Sequence, residues 1–200
     1  MSGFKKLNSK EREVLIKQIQ AFLQVFHLIL CVVIFALIVG AICGNGWLYN
    51  MTEVTLYQDT EKFIGLWQTC TNVYDYGCPT ESCVNSGSDV EDYIQATRAF
   101  LILATLPSIF AFIGGIGMLC SDRVKGQVSA ICHIITGVFL LIGMSVYTAK
   151  VNEEDSFDLY KYSWSFAFGW VAFVLTLIAA VITFTFGAPK LPRIIIEFRE

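Results

Sequence analysis

Charge is scarce in this sequence: 16% of its 200 residues are Asp, Glu, Lys or Arg, while 55% are hydrophobic. A soluble domain of this size carries nearer a quarter charged residues, so that class is excluded. Four stretches hold no charge at all, residues 25–43, 99–120, 128–149 and 166–186, with lengths of 19, 22, 22 and 21. At about 1.5 Å per helical residue, each crosses a hydrocarbon core about 30 Å thick. Histidine is nearly missing too, with only His27 and His133, both inside spans. With no Asp, Glu, Lys or Arg in any span to partner them, the histidines read as interhelical hydrogen bonding rather than a proton relay or polar pathway, and a transporter or pump is disfavoured. No Ser/His/Asp constellation, metal-spaced His/Cys set or glycine-rich phosphate loop is visible, so no catalytic residue, metal or cofactor is expected and the chain reads as no enzyme.

What is present is a membrane protein with two unequal faces. The first span holds thirteen Val, Ile, Leu and Phe residues, enough to favour insertion by about 4 to 8 kcal/mol. Its length exceeds the roughly 7 to 15 apolar residues of a cleaved signal, the rival reading. Lys5, Lys6, Lys10, Arg12, Lys17, Arg123, Lys125, Lys190, Arg193 and Arg199 lie on one side of the spans; Lys62, Arg98, Lys150 and Lys161 lie on the other. The positive-inside rule puts both termini in the cytoplasm. The outer side carries twelve of the seventeen acids, a net −8 against +5 inside. An acidic exterior argues against nucleic acid. It reads as a solvated ectodomain surface, with the lining of a cation path as the alternative.

The expected order is a cytoplasmic segment (1–24), first span (25–43), outer loop (44–98), second span (99–120), inner loop (121–127), third span (128–149), second outer loop (150–162), fourth span (163–187) and cytoplasmic tail (188–200). Asn8 followed by Glu11 suits a capping box, so a short helix is expected to run into the first span, with Leu15, Ile16, Ile19 and Phe22 on one stripe. Pro107 is positioned to kink the second span, with Thr105 and Ser108 nearby to satisfy freed carbonyls. Gly114, Gly115, Gly117, Gly137, Gly143 and Gly169 mark close helix packing within one chain.

Period-two alternation at Val54 to Tyr57, and an extended reading of 63–74, predict a small antiparallel sheet in the first outer loop. The second outer loop reads as a connector. Cys31, Cys43, Cys120 and Cys132 lie in or beside spans and read as small apolar side chains, with Cys120 a palmitoylation candidate. Cys70, Cys78 and Cys83 lie outside, where disulfides persist. Chain entropy gives about 2.6 kcal/mol for Cys70–Cys78 and about 3 kcal/mol for Cys70–Cys83, too close to choose. Pro79 disfavours the short Cys78–Cys83 closure; Cys70–Cys78 is the expected bridge and Cys83 the alternative partner. Asn50, Met51 and Thr52 form a glycosylation sequon. Trp47, Tyr49, Trp164 and Trp170 suit the bilayer interface.

Trp47, then Gly65, Leu66 and Trp67, then Cys70 with a second cysteine, then Arg98 at the second span resemble the extracellular signature of the claudin superfamily. The run Tyr162, Ser163, Trp164, Ser165, Phe166 and Gly169 to Ala172 is similar to the fourth span of the peripheral myelin, epithelial membrane and lens fibre protein group. Pro189 to Arg193 resembles the segment after the fourth helix of calcium-channel gamma subunits. The resemblance implies an all-α membrane protein, a left-handed four-helix bundle with one disulfide-stapled antiparallel sheet. Its implied role is to organise cell contacts or membrane domains, through membrane lipids and other membrane proteins in cis or trans, at the plasma membrane and its cell junctions. The alternative is an auxiliary subunit shifting the trafficking and gating of an ion channel. Phe198, Arg199 and Glu200 differ from the hydrophobic terminal ligand of many claudins, which speaks against a strand-forming tight-junction member.

Overall fold

Asn8 opens the first helix: its carbonyl accepts the Arg12 amide at 3.0 Å, and its own amide donates to Glu11 Oε2 at 3.0 Å. This is the reciprocal half of the expected capping box. A computed structural model describes residues 8–55, 58–75, 78–87, 90–120, 126–154, 157 and 159–186. Helix α1 (Ser9–Cys43) runs unbroken from that cap through the first span, so the polar lead-in and the span are one element. Three more helices follow, α2 (Asp92–Cys120), α3 (Gly126–Glu153) and α4 (Trp164–Phe186), and all four are long and apolar enough to cross a membrane. Each helix begins before its uncharged run, and α3 also ends after it, because a helix continues into the interface wherever its backbone bonds do.

The helices form a ring in which α1 neighbours α2 and α4, and α3 neighbours α2 and α4. Outward positions are apolar, as at Val32, Phe110, Val138 and Phe184, while the interior buries Ser108, Ser129, Thr136, Thr176 and Thr183. Apolar side chains such as Ile34, Ile38, Leu101 and Leu140 fill the rest of the interior, so the difference from a soluble bundle lies in the outward face, where lipid takes the place of water. Thr183 and Thr136 donate to carbonyls four residues earlier in their own helices, while Ser129 donates across to Ala111 O on α2. Helix α2 continues through Pro107, with Thr105 and Ser108 donating to Ile102 O and Thr105 O at 2.6 and 2.7 Å. Gly169 lies against the Met144 side chain and Gly143 against Phe100, contacts within the one chain.

The loop after α1 folds as four strands, β1 (Leu48–Thr55), β2 (Gln58–Ile64), β3 (Gln68–Asp75) and β4 (Cys78–Asn85). A two-residue strand β5 (Lys161–Tyr162) joins them, in the order β4-β3-β2-β1-β5, and every pairing is antiparallel. Strand β5 corrects the reading of the second outer loop as a connector. Two residues are too short for any periodic signal, and only their pairing with Leu48 and Tyr49 makes them a strand. Residues 63–74 are likewise not one extended segment. The chain reverses at Gly65–Trp67, where the Gly65 amide donates to Gln68 O at 2.9 Å. Of the alternation read at Val54 to Tyr57, Leu56 and Tyr57 lie outside the described residues, as does the tail beyond Phe186.

Candidate functional site

Helix α1 ends with main-chain carbonyls that no further turn can satisfy, at a depth where water is scarce. No basic side chain sits in its last turn to help. Three groups from the sheet side take over in succession. The Gly44 amide donates to Gly40 O at 3.0 Å, the Trp47 indole to Ala41 O at 2.7 Å, and the Trp67 indole to Ile42 O at 2.9 Å. Two of the signature tryptophans are thus helix caps. Each ties a different strand turn to the same helix end.

Trp47 is fully buried, its ring 4.5 Å from that of Tyr147 on α3 and 5.9 Å from that of Phe166 on α4. One side chain therefore joins three helices and the root of β1. Leu66, also buried, holds the β2–β3 turn down, and its carbonyl accepts both the Nε and Nη2 hydrogens of Arg98 at the start of α2. The same guanidinium lies 4.4 Å from the centre of the Trp67 ring, a cation–π contact that leaves the indole 41% exposed at the rim. Gly65 permits the turn's approach: a Cβ there would lie 2.7 Å from Asn45 Cα and 3.0 Å from Gly44 O, both main-chain atoms. The signature residues Trp47, Gly65, Leu66, Trp67, Cys70 and Arg98 come together as one latch between sheet and helices.

The disulfide joins Cys70 to Cys83, which corrects the expectation of Cys78. Cys70 and Cys83 are direct partners in the β3–β4 register, with Cα atoms 4.1 Å apart, whereas Cys78 stands opposite Asp75 at the strand end. Counting back along the β3–β4 register from the Asp75–Cys78 pair places 70 opposite 83. Asn45 donates to Cys70 Sγ at 3.6 Å, so the staple also touches the α1–β1 junction.

Further members of the latch lie outside the extracellular signature. Ser165 at the start of α4 accepts the Gly46 amide with Oγ at 3.2 Å and donates its own amide to Gly46 O at 2.9 Å. Ser163 donates its amide to Trp47 O at 3.0 Å, and Tyr147 supplies the floor under Trp47. On the sheet, Tyr74 donates to Glu61 Oε2 at 3.0 Å and Tyr49 approaches Oε1 at 3.5 Å. That hydrogen bond holds the Tyr74 hydroxyl above its ordinary pKa. Asn50 lies in β1 opposite Lys62, just beyond the last residue paired with β5, with Thr52 exposed.

Inside the bundle, His27 and His133 meet, Nε2 to Nε2 at 3.0 Å across the α1–α3 diagonal, so the interhelical hydrogen bond is one they make with each other. Cys31 joins them, its sulfur 3.3 Å from His27 Nε2 and 3.6 Å from His133 Nε2. The reading that no His/Cys set is spaced for a metal overlooked His27 and Cys31 themselves, four residues apart and so on one helix face.

Residues 20–183 match the sequence model of the PMP-22/EMP/MP20/Claudin family. The chain belongs to that family. It is 28% identical to the voltage-dependent calcium channel gamma-5 subunit of Mus musculus over 72% of this chain and 66% of that protein, just short of two thirds of the relative's length. It is 27% identical to epithelial membrane protein 2 of Bos taurus over 80% of this chain and 92% of the relative. It is 29% identical to the lens fiber membrane intrinsic protein of Bos taurus, over 72% and 80% respectively. The family consists of membrane structural and channel-auxiliary proteins, and this member is a multi-pass membrane protein with four spanning helices and one small sheet.

Proposed function

We propose that this chain is a non-enzymatic organiser of cell–cell contacts or membrane domains. It sits in the plasma membrane with both termini in the cytoplasm, and the sheet faces outward. The observation that carries the reading is the free edge of the sheet. Strand β4 pairs only with β3 among the described residues, its positions 80–85 are exposed, and Val84 is 67% exposed. An unpaired strand edge is a template for another strand. The Cys70–Cys83 bridge and the latch hold this edge rigid, so another copy meets a surface already ordered. On this reading Trp47, Gly65, Leu66, Trp67, Cys70 and Arg98 build the platform, and β4 makes the contact.

The second reading is an auxiliary subunit of an ion channel, favoured by the likeness to calcium channel gamma-5. It would use the lipid-facing helices and leave the sheet edge free. Expression in cells lacking contacts of their own separates the two. Enrichment at borders between two expressing cells supports the first reading; uniform surface staining with stoichiometric co-purification of a channel overturns it in favour of the second. Asn50 is proposed as a glycan site, where β1 runs past β5. A mass shift on glycosidase treatment that vanishes in Asn50→Gln is the expected result.

A further inference from the structure

We propose that His27, Cys31 and His133 form an intramembrane site for one copper(I) ion. The three donor atoms converge: Nε2 to Nε2 is 3.0 Å, and Cys31 Sγ lies 3.3 and 3.6 Å from the two nitrogens. Donors bound to one ion at about 2.0 Å for nitrogen and about 2.3 Å for sulfur stand about 3.3 to 3.6 Å apart. The side chains therefore need to move by only a few tenths of an ångström. All three are buried, with His27, Cys31 and His133 at 1%, 3% and 0% exposure.

The surrounding packing holds the triangle open. His27 and Cys31 sit one turn apart on α1, and His133 reaches them from α3 across the bundle. Gly115 of α2 gives the His27 ring its space: a Cβ there would lie 3.1 Å from ring atoms Cε1 and Nδ1. Ser129 Oγ lies 3.4 Å from His27 Nε2, but it donates to Ala111 O at 2.9 Å and so borders the site without completing it. Both Nδ1 atoms are buried without a partner among the described residues, so no acceptor behind either ring fixes its tautomer. Ligation through both Nε2 atoms leaves each ring proton on Nδ1.

Charge selects the ion. Two neutral imidazoles and one thiolate carry a single negative charge, and the four spans supply no Asp, Glu, Lys or Arg to offset anything more. A monovalent ion makes the complex neutral, whereas a divalent ion leaves a positive charge in the bilayer interior. Thiolate softness points the same way, towards copper(I) rather than zinc. On binding, the Cys31 thiol loses its proton to water, one proton per ion, and a Cu–S bond takes its place. A cleft of about 20 Å³ between α1, α2 and α4, lined by Gln20, Gln24, Met118 and His27, offers the access route from the end away from the sheet. It has room for about one water. Met118 places a second soft sulfur along that route.

The test uses the full chain in lipid nanodiscs, with Cys43, Cys78, Cys120 and Cys132 changed to Ser so that other thiols do not compete. Copper(I) is delivered from a chromogenic chelator, with ascorbate and without thiols. The expected result is one copper per chain, an X-ray absorption signature of one sulfur and two imidazole nitrogens, and one proton released. Cys31→Ser preserves size and should lower copper affinity at least tenfold, as should His133→Ala, while Ser129→Ala leaves it unchanged. An intact Cys70–Cys83 bridge in each variant reports folding. Absent binding, binding indifferent to Cys31→Ser, or stoichiometric zinc in place of copper would each overturn the proposal.

Discussion

At the sheet end of the molecule, Trp47, Trp67 and Arg98 each give their N–H groups to a main-chain carbonyl, while in the bundle interior His27, His133 and Cys31 have chiefly one another. Both are polar clusters out of water, and they differ in what they satisfy. The outer cluster closes the loose ends of helix α1 and the β2–β3 turn, so its side chains are spent on architecture. The inner cluster closes nothing in the backbone and leaves both Nδ1 atoms without partners among the described residues. Polar groups that cap a helix hold a fold together; polar groups that converge on each other leave room for a ligand.

The comparison breaks most readily at Trp47. Trp47→Ala removes a fully buried ring and a helix cap, and is expected to cost about 3 to 5 kcal/mol, seen as a lower melting temperature in detergent and intracellular retention. Trp47→Phe keeps most of the packing and should cost about 1 to 3 kcal/mol for the orphaned Ala41 carbonyl. No loss in Trp47→Phe would show that the cap contributes nothing, and equal losses in the two variants would show that the ring packing does not.

The staple comes next. Cys70→Ser and Cys83→Ser should each lose about 3 kcal/mol and reduce surface delivery, since the loop closed spans 13 residues. Cys78→Ser should retain the bridge, as non-reduced peptide mapping would report. A smaller effect is expected for Arg98→Lys, which keeps the charge but cannot give two hydrogens to Leu66 O while covering Trp67. About 1 to 2 kcal/mol of stability should be lost, read by urea or thermal unfolding in micelles.

Last comes the inner pair in the absence of any ion, where the double variant gives the smallest effect. A single His133→Phe strands the partner ring and should cost about 1 to 3 kcal/mol, whereas His27→Phe with His133→Phe together should cost less than that. A double variant as damaged as the sum of the singles would mean the two rings contribute independently.

The outer cluster was legible in the sequence and the inner one only in part, for a physical reason. Trp47, Gly65, Leu66, Trp67, Cys70 and Arg98 stand near membrane crossings in one loop, where local pattern and topology constrain one another. What those residues bond could not be read, because Ala41 O, Ile42 O and Leu66 O are main-chain atoms that leave no mark on residue type. Tyr162 and Ser165 stood in the fourth-span run, but their place at the sheet was not legible because it rests on contacts with β1 and its approach. His27 and His133 stood out by rarity, yet Cys31 was read as a small apolar residue. Its place beside His27 follows from their four-residue spacing on α1, whereas its place beside His133 depends on the diagonal approach of α1 and α3, which no spacing within one helix encodes.

The central claim is that the latch presents β4 as a contact edge, and Val84→Lys tests it most directly. The lysine lies on an exposed strand position, so folding and surface abundance should match the unmodified chain, while two like charges would oppose pairing of β4 edges. In mixed cultures with a tag for each cell, the unmodified chain should concentrate at borders between expressing cells, and Val84→Lys should stay uniform over the surface. Border enrichment undiminished by the lysine would contradict the account.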